Sequence, residues 1–186
     1  MADNDMWTIK AALDWTVGFL ERKGDENPRL SAEWLMSEAT GLSRIELYVN
    51  FERPLTLDER AVLRDFVARR GRGEPLQLIS GKVPFRYITV LVAPNVLIPR
   101  PETEVLVSEA FAELKLPRVA DHVAAGENGD EVVSPELPEL RVVDLCTGSG
   151  CIACSIASEY PAAHVVALDI APEALALAGK NVEALG

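Results

Sequence analysis

The chain lacks a fourth cysteine. Its three, Cys146, Cys151 and Cys154, follow the spacing C-x4-C-x2-C, the opening of a plant-type ferredoxin cluster signature, and without a fourth thiolate that cluster is excluded. An odd cysteine count with no secretory leader argues equally against a disulfide framework, so the three read as small buried residues and no metal site is expected. A run of eighteen apolar residues is also missing, and the N-terminus has no charged start followed by a continuous apolar segment. Neither a membrane span nor a secretory signal is therefore expected, and a cytoplasmic protein is. Positive charge is scarce: 18 Lys and Arg stand against 29 Asp and Glu, a net charge of −11. The deficit is uneven, with 11 basic and 14 acidic side chains in residues 1–74 and 7 and 15 in residues 75–186. Such a field discourages direct binding to nucleic-acid phosphate or anionic lipid and leaves a protein partner open. There are only two histidines, His122 and His164, and neither has a second ligand or a paired nucleophile in view, so neither is given a catalytic role.

What is present is a chain of 186 residues, 48% hydrophobic, long enough for one domain or for a small domain plus part of a second. Residues 7–23 carry Ile9, Leu13, Val17 and Leu20 at helical spacing, and Gly24 stops the pattern. Asn27 as N-cap with Pro28 behind it starts a second helix, with Leu30, Trp34, Leu35 and Ala39 facing inward. Ser43 with Glu46, and Thr56 with Glu59, match the reciprocal capping box and open two more helices. Residues 1–73 thus read as an antiparallel helical bundle. As a packing module it needs no chemistry; docking of a partner is the alternative.

From Leu76 the period changes. Gln77–Ser80 and Phe85–Val92, divided by Gly81 and Pro84, predict a β-hairpin that bridges two domains, with a linker spanning 74–95. Leu97-Ile98-Pro99-Arg100-Pro101-Glu102-Thr103-Glu104 follows, and its two prolines hold Arg100 on a stiff turn that enters a helix. Residues 117–139, rich in proline, glycine and acids, predict a surface loop.

The richest stretch is Val142 to Gly150. A short β-branched run, typical of a buried parallel strand, breaks into Cys146-Thr147-Gly148-Ser149-Gly150 and then into a helical pattern. Gly148 and Gly150 can take positive φ and let a ligand approach the main chain, while the unpaired N–H groups of the following helix favour a polar or anionic ligand. A second strand, Val165–Leu168, ends in Asp169, nineteen positions after Gly150, where a carboxylate can accept hydrogen bonds from both hydroxyls of a ribose. Strand, glycine loop, helix, strand and acid together predict half of a nucleoside-binding α/β sheet. Pro172 then starts a last helix.

On these residues the sequence resembles the HemK/PrmC family, S-adenosylmethionine-dependent methyltransferases that modify a glutamine side-chain amide in peptide chain release factors. The resemblance rests on the helical module, Gly-Glu-Pro-Leu-Gln at 73–77, Leu97–Glu104, the Asp144–Gly150 loop and Asp169. It implies an α/β fold: a helical substrate-recognition bundle (1–73), a hairpin linker (74–95), and the first part of a Rossmann-like methyltransferase domain (96–186). It also implies that Cys146 to Gly150 line the methionine part of S-adenosylmethionine, that Asp144 orients the loop and that Asp169 holds the ribose. Arg100, Pro101, Glu102 and Thr103 would lie near the active site. Where this chain has Cys146 the family commonly has glycine. Family members also carry an Asn-Pro-Pro-Tyr motif after the fourth strand, and the 186 residues contain none, so the catalytic residues stay unassigned. The expectation is a fragment or truncated paralogue with little activity alone, and with a sheet edge open to dimerisation. Three other readings stand beside this one: a glutamine methyltransferase for a ribosomal protein, a non-catalytic binding module, and an NAD-type oxidoreductase half, whose G-x-G-x-x-G pattern tolerates Ala153 at its last position.

Overall fold

The computed structural model describes residues 7–116 and 138–186. The chain divides into two compact units, Met1–Ser80 and Gly81–Gly186. The acidic segment expected over 117–139, with His122, lies almost wholly outside the described residues.

The first unit is helical: α1 (Ile9–Arg22), α2 (Pro28–Thr40), α3 (Arg44–Val49), α4 (Leu57–Arg70) and α5 (Leu76–Ser80). Local hydrogen bonding fixes the starts. Thr8 accepts from Ala11 N, and Ser43 and Thr56 each complete a capping box with Glu46 and Glu59. Asn27 occupies the N-cap of α2, yet its side chain makes no cap bond; Asp25 instead accepts from Asn27 N and from Ser31 Oγ, both at 2.9 Å. Ile9, Leu13, Leu20, Leu35, Met36, Leu47, Leu63 and Val67 form the core. Leu30, expected to face inward, is exposed, because it lies across α2 from the stripe of Ala32, Leu35 and Met36 that the bundle buries.

One expected strand is a helix. Gln77–Ser80 belongs to α5, whose turn is nucleated where Leu78 N and Ile79 N donate to Pro75 O at 3.0 and 3.1 Å. Ile79 inserts into the bundle core and Gly81, at φ 74°, ends the turn. The one β-branched residue of the segment, Ile79, serves that packing and not a ladder.

The second unit opens with an antiparallel hairpin, β1 (Lys82–Phe85) and β2 (Ile88–Leu91), turning at Arg86 and Tyr87. Then come α6 (Pro101–Glu113), β3 (Leu140–Leu145), α7 (Cys151–Glu159), β4 (Ala163–Leu168) and α8 (Pro172–Leu185). β3 and β4 pair in parallel from Leu140↔Ala163 to Leu145↔Leu168, the β-α-β unit expected from the sequence. The strands are not buried on both faces. Val142, Asp144, Val165 and Ala167 point to the covered side, while Val143, Leu145, Val166 and Leu168 are 60%, 69%, 54% and 48% exposed. The physical reason is the side-chain period of two: among the described elements, helices cover only one face.

A buried ion pair joins the hairpin turn to α7. Arg86, at φ 50°, donates through Nε and Nη2 to the two oxygens of Glu159 at 2.6 and 2.5 Å. Its Nη1 donates to Glu104 O and Ser108 Oγ on α6, so one guanidinium fastens three elements.

Candidate functional site

The site is built where both parallel strands end. Beyond Leu145 every second residue is left-handed: Cys146 at φ 61°, Gly148 at 58° and Gly150 at 78°. The ladder nonetheless continues one step, since Thr147 N donates to Leu168 O at 2.9 Å. Thr147 Oγ1 donates to the buried Asp144 carboxylate at 2.6 Å, which fixes the loop to its strand. Gly150 N closes the turn on Thr147 O, and Gly150 O accepts the first bond of α7 from Cys154 N. Gly150 is glycine for two reasons: its φ, and a Cβ there would lie 3.0 Å from Ala178 Cβ on α8.

Asp169 stands across from this loop. Its Oδ2 accepts from Gly148 N and its Oδ1 from Ala171 N, both at 2.9 Å. The N–H groups of Ala171 and Gly148 hold its carboxyl below the ordinary value, so it stays an anion. Each oxygen keeps lone-pair capacity, and the next residue, Ile170, is 97% exposed.

Of the residues singled out in the sequence, Asp144, Thr147, Gly148, Ser149, Gly150 and Asp169 converge in one hydrogen-bonded cluster. Cys146 stands at its edge and is exposed, unlike Cys151 and Cys154, because the left-handed turn past the strand end carries it out of the sheet. Arg100 to Thr103 stand elsewhere. They form the start of α6, where Thr103 N donates to Arg100 O, and the described hydrogen bonds do not join them to the loop. The segment just before them does reach it: Val96 Cγ1 would lie 3.9 Å from a Cβ on Gly148. Among the described residues, no group of His, Cys, Asp and Glu is placed to hold a metal ion, and no helix is long and apolar enough to cross a membrane.

Sequence reasoning missed Asn181. It is 1% exposed on α8; Nδ2 donates to Ser149 O at 2.8 Å and Leu91 O at 3.1 Å, and Oδ1 accepts from Leu91 N at 2.6 Å. One amide thus continues the edge of β2 as a strand would and clamps the glycine loop. The signal was available: Ala174, Leu177, Ala178 and Asn181 share one helical face, and an amide on an apolar stripe must find buried partners.

The residues fit a nucleoside-bearing group: a left-handed loop open to main-chain approach, an ionised carboxylate beside it, and Ser149 Oγ buried with no hydrogen bond to nitrogen or oxygen. Parallel strands feeding such a loop define a nucleoside-binding α/β domain of the methyltransferase type. Residues 128–186 match the methyltransferase small domain family, and residues 11–81 match the PrmC N-terminal domain family. The chain is 46% identical over 182 residues to the "Release factor glutamine methyltransferase" of Geobacter sulfurreducens, covering 98% of this chain and 56% of that protein. The proteins of that name from Rhodopirellula baltica and Escherichia coli are 41% and 35% identical, over 96% and 88% of this chain and 55% and 51% of their own lengths. The chain belongs to the HemK/PrmC methyltransferase family, and it spans a little over half the length of these curated relatives.

Proposed function

We propose that the chain supplies the donor-binding and target-binding parts of a protein-glutamine methyltransferase that uses S-adenosylmethionine and acts on peptide chain release factors. The observation that carries this reading is the tie between Asp169 and Gly148, which sets a ribose acceptor against a left-handed glycine loop at the ends of two parallel strands. Cys146 to Gly150 would line the methionine part of the donor, Asp169 would accept from the ribose hydroxyls, and the exposed Ile170 beside it would offer an apolar surface to the attached base. S-adenosylmethionine, when bound, supplies an electrophilic methyl group on a sulfonium.

The chain's own residues hold and orient. Asp144 fixes Thr147, Asn181 fixes Ser149, and Val96 lies against Gly148. Arg100 to Thr103, at the start of α6 and without a described hydrogen bond to the loop, would reach the acceptor side only with the rest of the active site. A glutamine amide nitrogen is a poor nucleophile, since its lone pair is delocalised into the carbonyl, so catalysis depends on acceptors that orient it. In this family the Asn-Pro-Pro-Tyr motif provides them, and residues 1–186 contain no such sequence. We assign residues 1–73 to substrate recognition, 74–95 to the connecting hairpin region and 96–186 to donor binding, in a cytoplasmic protein without direct nucleic-acid contacts. The open apolar face of β3 and β4 would favour self-association.

The test is incubation of release factor and methyl-labelled S-adenosylmethionine with this chain, alone and in a form extended by a relative's Asn-Pro-Pro-Tyr region. Label on a release-factor glutamine with the extended form alone is expected. Label on a ribosomal protein instead would move the target, and no transfer to either would refute the reading.

A further inference from the structure

The first unit carries a groove that its packing does not explain. It is a cleft of about 390 Å³ between α1 and α4, floored by Leu63 and Val67. Its wall is aromatic: Trp15 stacks on Phe19 at 5.3 Å and meets Trp7 edge-on at 6.0 Å. Trp7 and Phe19 are partly buried against the bundle core, and Trp15, 49% exposed between them, carries the wall out to solvent. Isolated exposed apolar residues are ordinary, whereas a contiguous aromatic patch beside a cleft marks a binding surface.

Two polar features give the groove a chemical preference. Thr16, also lining it, is fully buried, and its Oγ1 has no hydrogen-bond partner. A buried hydroxyl without a partner is unfavourable and is relieved when a bound group supplies one. Arg60 and Arg64, one turn apart on α4, stand at the groove, and among the described residues neither has a carboxylate partner. Five other arginines of the bundle are paired, Arg29 and Arg44 with Glu33, Arg53 with Glu59, Arg69 with Glu74 and Arg70 with Asp25, while Arg22 and Arg72, which do not line the groove, have no described ion pair. In a chain of net charge −11, two unpaired guanidiniums beside an apolar cleft are complementary to a carboxylate from another molecule.

We propose that this groove is the bundle's docking site for its protein substrate. It takes an apolar or aromatic side chain against Trp15, Leu63 and Val67, with one or more carboxylates flanking that side chain held by Arg60 and Arg64. A polar group of the same segment pairs with Thr16. The inference rests on the release-factor reading for the identity of the partner and adds the surface that selects it.

The test is calorimetric titration of peptide chain release factor into the whole chain and into two variants, the double charge reversal Arg60→Glu with Arg64→Glu, and Thr16→Val. The double variant is expected to bind at least tenfold more weakly, and to lose most of the salt dependence of wild-type binding, with an unchanged circular dichroism spectrum. Thr16→Val separates docking from packing: it removes an unpartnered buried hydroxyl, so thermal stability should hold or rise while binding weakens. Equal affinity in wild type and double variant would overturn the docking site and leave the methyltransferase reading intact. No binding by the wild type would also overturn it, and titration of the same protein with S-adenosylhomocysteine then judges the donor site separately. Light scattering that shows a dimer abolished by the double variant would give the groove to a second copy of the chain and overturn the proposal.

Discussion

Asp169 Oδ2 accepts the main-chain N–H of Gly148 at 2.9 Å, across 21 residues of sequence, and so joins the end of β4 to the loop that follows β3. The same carboxylate is the proposed ribose acceptor, so on that proposal one side chain both shapes the loop and meets the ligand. Asp169→Ala is predicted to weaken S-adenosylhomocysteine binding at least tenfold by calorimetry, and Asp169→Asn by less, because one amide oxygen still accepts. The pH dependence follows from the sign of the shift. The carboxyl lies below its ordinary 3.8 in the folded chain, so its contribution is present above that value and is lost as pH falls through the lower folded one. Binding should therefore be insensitive to this group from about pH 5 to 8.

Asn181 predicts a coupled loss. Asn181→Leu leaves Ser149 O and the N–H and C=O of Leu91 without this partner, at a cost of about 2–3 kcal/mol in denaturant unfolding. If the residue also positions the loop, affinity for S-adenosylhomocysteine falls at least fivefold at a temperature where the variant is fully folded. A stability loss with unchanged affinity would restrict Asn181 to packing.

The cysteines predict a labelling pattern. Burial pushes the thiols of Cys151 and Cys154 up, which disfavours the reactive thiolate, whereas Cys146 is exposed on the loop. A maleimide should modify Cys146 first in the native protein, as read by peptide mass spectrometry, and S-adenosylhomocysteine should slow that reaction. Equal labelling of all three would contradict the described burial.

Arg86 and Glu159 predict a strong stability effect in the second unit. Their side chains are 11% and 4% exposed, and Arg86→Met leaves Glu159 with Ser155 as its remaining hydrogen-bond donor among the described contacts. Breaking one side of a buried pair costs about 3–5 kcal/mol, while replacing both partners with apolar residues is often neutral. Denaturant unfolding of Arg86→Met, Glu159→Leu and the double variant should therefore show strong coupling, with the double variant recovering most of the single losses.

The parts legible in the sequence are those set by local rules. Capping boxes at Ser43 and Thr56, the β-branched runs of β3 and β4, and the glycines of the loop each state their conformation within a few residues. What stayed hidden depends on partners far along the chain. Gln77–Ser80 has strand composition, yet Ile79 is needed in the bundle core and Pro75 starts a helical turn. Asn181 looks like an ordinary helix residue until Leu91, 90 positions earlier, is brought beside it. The groove beside Trp7, Trp15 and Phe19 was not legible, because a periodic stripe shows which face turns inward, not how far its flank is left open. Arg60 and Arg64 were equally silent, since pairing between charges depends on helix packing.

On the proposed function, the loop from Cys146 to Gly150 and Asp169 form a donor site for S-adenosylmethionine. Isothermal titration of the chain with S-adenosylhomocysteine and, separately, with NAD tests it most directly. Saturable heat with S-adenosylhomocysteine, diminished by Asp169→Ala, is expected, and none with NAD. Heat with NAD alone, or with neither ligand, would contradict it.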